Sequence, residues 1–315
     1  MRTSRLCATL TIFSLLALPA QAQKGGGGTT PPPNPAIAFA GEDGLGIKVM
    51  NADGSNVRTV VSAKGNSWWT RSPCWSPDGT RLAFHGRLDG VEAIWTVKLD
   101  GTDRRSLSPT QTSVPCQTDW SPVPTPDGNH KILFSVHDWS SPAARDDIWV
   151  VNPDGSGLQN LTNTPTAYEF SAVWNRHGNA LYVARDNSLV LLLVGAGPGG
   201  LVVLGETVLI AEIRAPCPGR AANTVDLVAY SSMGLIGTPV TALRAYVLDL
   251  SNLTTRLLTS KVSDERWLSF SPDDTKLAFH RSGSASTGGI FTINFDGSGE
   301  KQIQSRGVEP CWKRP

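Results

Sequence analysis

Cysteines, histidines and aspartate–glycine turns are the residues whose types could do chemistry in this 315-residue chain. Beyond Cys7, the cysteines are Cys74, Cys116, Cys217 and Cys311, each directly after a proline. Four cysteines permit three disulfide connectivities in an exported protein. A Cys74–Cys311 bridge would staple the closure of the fold, with buried free thiols as the alternative. A zinc site would need tetrahedral convergence with histidine partners, which the spacing does not supply. The histidines are His85, His130, His137, His177 and His280. His85, His137 and His280 each follow a Leu/Ile-x-Phe stretch, so they point toward one end of whatever fold repeats that stretch. No metal site is expected from them. Asp53-Gly54-Ser55, Asp100-Gly101-Thr102, Asp154-Gly155-Ser156 and Asp296-Gly297-Ser298 superficially resemble calcium loops. A calcium loop needs several oxygen ligands in one short segment, whereas one Asp followed by Gly is hairpin-turn chemistry. Gly195-Ala196-Gly197-Pro198-Gly199-Gly200 partly mimics a dinucleotide loop, but Leu201-Val202-Val203-Leu204 continues as strand rather than opening a helix. No cofactor is expected.

The elements that position these residues repeat. Cys74-Trp75-Ser76-Pro77-Asp78-Gly79-Thr80-Arg81-Leu82-Ala83-Phe84-His85 returns as Ser269-Phe270-Ser271-Pro272-Asp273-Asp274-Thr275-Lys276-Leu277-Ala278-Phe279-His280. Looser copies surround Trp120 and Trp174. Each reads as a strand, a tight turn and a second, alternating strand. Equivalent strands begin near residues 37, 81, 132, 180, 227 and 277, with four short strands per period and no sustained helical pattern. The fold is expected to be all-β: a six-bladed β-propeller of four-stranded blades over residues 36–315. Val308-Glu309-Pro310-Cys311-Trp312 matches Arg71-Ser72-Pro73-Cys74-Trp75. The C-terminal strand should therefore pair with the N-terminal blade and close the ring, which removes an exposed edge.

Upstream, Arg2 and Arg5, an apolar run and Ala20-Gln21-Ala22 read as an export signal over residues 1–22, cleaved after Ala22. Residues 23–35, rich in Gly and Pro, read as a linker. The mature chain is expected in the periplasm or secreted, with no transmembrane segment. With 28 basic against 27 acidic residues the net charge is +1, which offers no electrostatic footprint for nucleic acid.

The phrase Trp/Phe-Ser-Pro-Asp-Gly-x-x-Leu-Ala-Phe, then Ile-Trp/Phe-x-Val/Ile and Asp-Gly-Ser/Thr, resembles the TolB-type, WD-like propeller repeat. That family includes the propeller of the periplasmic TolB protein and those that cover dipeptidyl-peptidase-like hydrolases. The resemblance covers the propeller part only and implies no second α/β domain and no hydrolase domain here.

Trp75, Trp120, Trp174, Trp312 and Phe270 share one repeat position and are expected in the core. Trp68, Trp69 and Trp139 fall outside it. With Arg71, His85, Arg87, His137, Tyr168, Arg185, Arg266, His280 and Arg281, they fall at the end of the ring that carries the variable loops. Aromatics and Arg on loops above a rigid scaffold are the material of a recognition surface; the alternative is that these Trp residues plug the channel mouth. The expected function is non-catalytic: a monomeric, exported propeller binding a protein or peptide of the cell envelope. The alternative is a hydrolase or lyase acting on a lactone or carbohydrate at the central channel.

Overall fold

The computed structural model describes residues 36–315 except 43, 45, 65–67, 109–116, 138–145, 166, 214–215, 235–241, 260, 262 and 285. Cys116 and Trp139 lie outside the described residues, as do the side chains of Trp68, His137 and Cys217. So do the signal and linker assigned to residues 1–35.

Among the described residues there is no helix. Six antiparallel sheets of four strands form the blades. Blade 1 contains β1 (Ile37–Ala40), β2 (Ile47–Met50) and β3 (Arg58–Val61). Blade 2 contains β4 (Trp68–Trp75), β5 (Arg81–Leu88), β6 (Val91–Lys98) and β7 (Arg105–Ser106). Blade 3 contains β8 (Thr118–Trp120), β9 (Ile132–His137), β10 (Asp146–Val151) and β11 (Gln159–Asn160). Blade 4 contains β12 (Glu169–Trp174), β13 (Ala180–Arg185), β14 (Ser188–Gly197) and β15 (Gly200–Ile210). Blade 5 contains β16 (Cys217–Ala221), β17 (Leu227–Ser232), β18 (Arg244–Asp249) and β19 (Thr254–Leu257). Blade 6 contains β20 (Glu265–Phe270), β21 (Lys276–Arg281), β22 (Gly289–Asn294) and β23 (Lys301–Gln304). The last strand, β24 (Val308–Trp312), returns to pair antiparallel with β1, opposing Ile37 to Trp312 and Ala38 to Cys311. The expected six-bladed propeller and its closure are both present.

Local hydrogen bonding explains why the repeat folds this way. In blade 2, Ser76 Oγ donates to Asp78 Oδ1 (2.6 Å) and accepts from the Arg81 amide (2.9 Å). Blade 6 repeats both contacts with Ser271, Asp273 and Lys276 at 2.7 and 2.9 Å. In the worn copy of blade 4, Asn175 Oδ1 takes over, accepting the amides of Asn179 (3.1 Å) and Ala180 (3.2 Å). The Asp-Gly-Ser turns are Asx turns: Asp53, Asp154 and Asp296 each accept the amide two residues on, at 2.8–2.9 Å. The intervening Gly54, Gly155 and Gly297 sit at φ of 88–90°, where only glycine is unstrained.

The repeated aromatic is buried in every blade that carries it: Trp75, Trp120 and Trp312 are 5% exposed, Phe270 3% and Trp174 fully covered. Each fills the wedge between neighbouring blades. Trp75 Nε1 also donates to the Cys311 carbonyl oxygen at 3.1 Å, tying blade 2 to the closing strand.

Candidate recognition face

The innermost strands begin, and the second strands end, at the same end of the ring. Pairings of Trp68 with Arg87, Arg71 with His85, Glu169 with Arg185, and Arg266 with His280 establish this. The described residues expected at the variable-loop end that lie on these strands therefore share one end, but they do different things there.

Three of them are not offered to a partner. His85 is 1% exposed, its Nε2 3.3 Å from Glu92 Oε1. Arg281 is 4% exposed; it donates to buried Glu265 at 2.6 Å and to Glu300 at 2.7 Å, and lies 4.5 Å over the Phe291 ring. Arg185 makes the matching arrangement in blade 4, with Glu169 at 2.7 Å and Glu206 at 2.6 Å. These are internal Glu–Arg–Glu triads that tie the innermost strand to the outer part of the blade. Burial pushes the Glu169 carboxyl up against the opposing pull of Thr162 and Arg185. Arg281 and Lys261 hold Glu300 down to about 2.

Among the described residues expected here, those that remain on the surface lie mainly on blades 2 and 6, on either side of blade 1. Strand β4 carries two register shifts and places Trp69 and Ser72 in the left-handed region, at φ of 57° and 52°. Trp69 is 45% exposed, and the Arg71 guanidinium lies 6.0 Å from its ring centroid. Arg71 also reaches Glu309 Oε1 at 3.5 Å; Glu309 accepts the Ser72 amide. Burial pushes the Glu309 carboxyl up, opposed by Ser72 and Arg71. Trp267 on blade 6 is left-handed as well (φ 55°), as is Glu309 (57°). Ser72, Trp267 and Glu309 each stand three residues before the repeated aromatic, so one backbone device recurs in three consecutive blades. Non-glycine residues held there store strain and re-aim side chains. Trp267 packs at 5.3 Å on His280, whose pKa falls to about 4 through burial and the nearby Arg266 charge. Arg266 pairs with Asp264 at 3.1 Å. Tyr168, 39% exposed, sits apart on blade 4 beside Phe170. Arg87 is on the same end, at the close of β5.

Below this mouth, side chains of the innermost strands meet near the axis. Arg220 of β16 crosses to Asp119 of β8, Nε to Oδ1 at 2.9 Å, and donates to the carbonyls of Thr118 (3.0 Å) and Pro73 (3.2 Å). Asp119 Oδ2 also accepts the Trp174 amide at 2.9 Å and Arg314 at 3.3 Å. Cys74 and Cys311 flank Arg220 as buried free thiols. Both carry free thiols in this structure, the second of the two arrangements the sequence left open. Burial pushes the Cys74 thiol up to about 12 and raises Cys311 as well. Among the described residues no group of three or more His, Cys, Asp or Glu converges as a metal site. Sequence reasoning missed Arg220, Asp119, Arg314 and Trp267. The available signal was Asp119 itself, a charge at the axis-facing position where other repeats have Cys, Val or Ser.

No protein-family model matches the chain. Over 125 residues it is 29% identical to the Tol-Pal system protein TolB of Anaeromyxobacter dehalogenans strain 2CP-C, covering 40% of this chain and 25% of that protein. The same protein of Anaeromyxobacter sp. strain K matches to the same extent. Among solved structures, TolB from Acinetobacter baumannii superposes with a TM-score of 0.64 at 18% identity, covering 89% of this chain and 66% of that one. A chain of a nidogen/laminin complex superposes with a TM-score of 0.64 at 12% identity, covering 88% and 98%.

The fold is that of a TolB-type β-propeller.

The chain spans about a quarter of the length of the curated relatives it matches. The TolB-type repeat accounts for the wedge aromatics and turn networks of blades 2, 3, 4 and 6. It does not account for Trp69, Arg71, Trp267 or the Arg220–Asp119 pair, which are additions to the repeat. Those additions separate the mouth from the scaffold.

Proposed function

We propose that this TolB-type propeller is an exported, non-catalytic binding module that takes a protein or peptide partner in the cell envelope on its variable-loop face. The observation carrying the reading is the arc over blades 6, 1 and 2. There Trp69, Arg71 and Trp267 stand on a backbone fixed by three equivalent left-handed residues. A rigid, aromatic- and Arg-bearing surface loses little conformational entropy on binding and suits hot-spot anchoring. The relatives named for the Tol-Pal system support an envelope setting, and the N-terminal export pattern supports delivery there. The hydrolase or lyase reading needs an open axis with paired carboxylates. At the level of the Arg220 crossing the axis instead carries two guanidinium groups and one carboxylate, Asp119, engaged by three donors.

The test is cross-linking capture from envelope extract with residues 23–315 and with a Trp69→Ala/Arg71→Ala/Trp267→Ala variant. A partner held by the parent and lost by the folded variant supports the reading. Equal capture by both moves the site off this face, and capture by neither sinks the binding-module reading.

A further inference from the structure

At the end of the ring that carries the Ser-Pro-Asp-Gly turns, opposite the variable loops, the wedges between blades can be compared position by position. The residue that follows the wedge position is Ser76, Ser121, Asn175, Ala222 and Ser271 in blades 2 to 6, and Lys313 in blade 1. Its amide donates to the start of the second strand in all six blades, which fixes the equivalence. Blade 1 alone places a cation there. Between blades 1 and 2 the Lys313 side chain lies over Trp75, its Nζ 5.7 Å from the ring centroid, within reach of the ring's quadrupole. Its Cε and Nζ take the space that a side chain at Gly79 would fill. Between blades 2 and 3 the same two places are held by Ser76 and Trp120, and there the wedge opens into a cavity of about 350 Å³. Serine ends well short of where Lys313 carries its ammonium group, so the space filled in one wedge is open in the next.

We infer that the wedge between blades 2 and 3 is a binding site for a primary alkylammonium group, which sits there as Lys313 sits one wedge earlier. The groups lining the cavity include the acceptors such a cation needs. Asp154 accepts the Ser156 amide and hydroxyl on Oδ1 alone, at 2.9 and 2.6 Å, which leaves Oδ2 for a further donor. Those two bonds hold its carboxyl below the usual range, so it is charged at neutral pH. Asp78 binds the Ser76 hydroxyl and the Thr80 amide through Oδ1, while Oδ2 accepts only the Thr80 hydroxyl, at 2.9 Å. His130 Nδ1 lies 3.1 Å from the Ser121 carbonyl oxygen and must donate to it, so the neutral ring keeps Nε2 as an acceptor. Arg81 and Arg105 also line the cavity, but both are turned onto Asp103, which does not: Arg81 Nη1 reaches it at 2.7 Å and Arg105 Nε at 2.9 Å. An anion entering the cavity would meet Asp78 and Asp154. Among the described residues no three metal-ligating side chains converge, so the cation is organic. A concave space with an aromatic wall and a few convergent polar groups is the ordinary make-up of a small-ligand site. This site lies at the opposite end of the ring from the variable-loop face, and neither depends on the other.

Titration of residues 23–315, labelled with ¹⁵N at tryptophan, with N-acetyl-lysine methylamide tests it. The readout is the Trp120 indole resonance, which Trp120→Phe assigns. The expected result is a saturable shift with a dissociation constant of about 1 mM. The same compound acetylated on Nε carries no charge and should give no saturable shift. Asp154→Asn keeps the Oδ1 acceptor of the turn, removes the charge and should weaken binding at least about tenfold. Ser76→Lys copies Lys313, should occupy the wedge from within and should abolish the shift, the remaining tryptophan resonances showing that it is folded. Cadaverine, titrated alongside, separates the two sources of the group. Tighter binding of the lysine compound assigns the site to peptide side chains and tighter binding of cadaverine to free amines; either supports an alkylammonium site. No saturable shift in the folded parent overturns the proposal. So does equal binding of the Nε-acetylated compound, or unchanged binding by Asp154→Asn.

Discussion

Arg220 Nε donates to Asp119 Oδ1 across the propeller axis at 2.9 Å, joining residues 101 positions apart, with both side chains buried. A buried pair of this kind is costly to break from one side, because the remaining charge loses its partner. Asp119→Ala leaves Arg220 and Arg314 without their shared carboxylate and should cost about 3–5 kcal/mol. Arg220→Met should cost less, since Asp119 keeps Arg314 and the Trp174 amide. Urea unfolding of the two single variants and the double variant checks the ordering. Equal losses from both single changes would contradict it.

Arg281 should behave as a structural residue. Arg281→Ala uncovers the fully buried Glu265 and should lose about 3–5 kcal/mol. Arg185→Ala should lose less, because Arg185 is 15% exposed and Glu206, at 56%, is already hydrated. Thermal unfolding of both variants reads the difference.

His280 gives the fold an acid sensitivity. Its pKa of about 4 lies below the ordinary 6.5, so the unfolded chain takes up the proton first as pH falls. The stability it contributes is present above about pH 6.5 and is lost between there and pH 4. The full effect is on the order of 3 kcal/mol. His280→Gln should flatten the dependence of unfolding free energy on pH across that window. An unchanged slope would show that another group carries it.

Cys74 and Cys311 should resist alkylation in the native state at pH 8, since burial holds both as neutral thiols and the thiolate is the nucleophile. Peptide mapping after iodoacetamide treatment should find both modified only when denaturant is present. A Cys74–Cys311 disulfide in the mapped peptides would refute the free-thiol arrangement.

Closing the ring should be cooperative with blade 2. Trp75→Phe keeps the wedge but loses the bond to the Cys311 carbonyl oxygen, at a cost of about 1 kcal/mol. Trp75→Ala should cost about 3–5 kcal/mol through the cavity it leaves. Denaturant midpoints of the two variants separate the hydrogen bond from the packing.

Much of the scaffold was legible in the chain. Ser76, Asp78 and Gly79 write their turn into the sequence because each contact in it is made within five residues. Trp312 announces ring closure because it repeats the context of Trp75. The mouth was legible only in part. Trp69 was recognisable as a departure from the repeat and Arg71 as an arginine at the variable-loop end, but Arg185 and Arg281 looked equally available. Nothing local tells an arginine at a strand end whether to face solvent or turn inward. Their inward turn depends on Glu169 and Glu265, and on Glu206 and Glu300, contributed by other strands of the same blades.

The sequence by itself determined the six blades, their turns and their closure, because period-two alternation and short-range turn chemistry act over a few residues and repeat. Only the tertiary structure decided what meets at the axis and what faces outward at the mouth. Arg220, Asp119 and Pro73 come from blades 5, 3 and 2, and they meet only because ring closure brings distant segments within hydrogen-bond reach. Paired burial of charge is a property of that meeting, and no residue carries it alone.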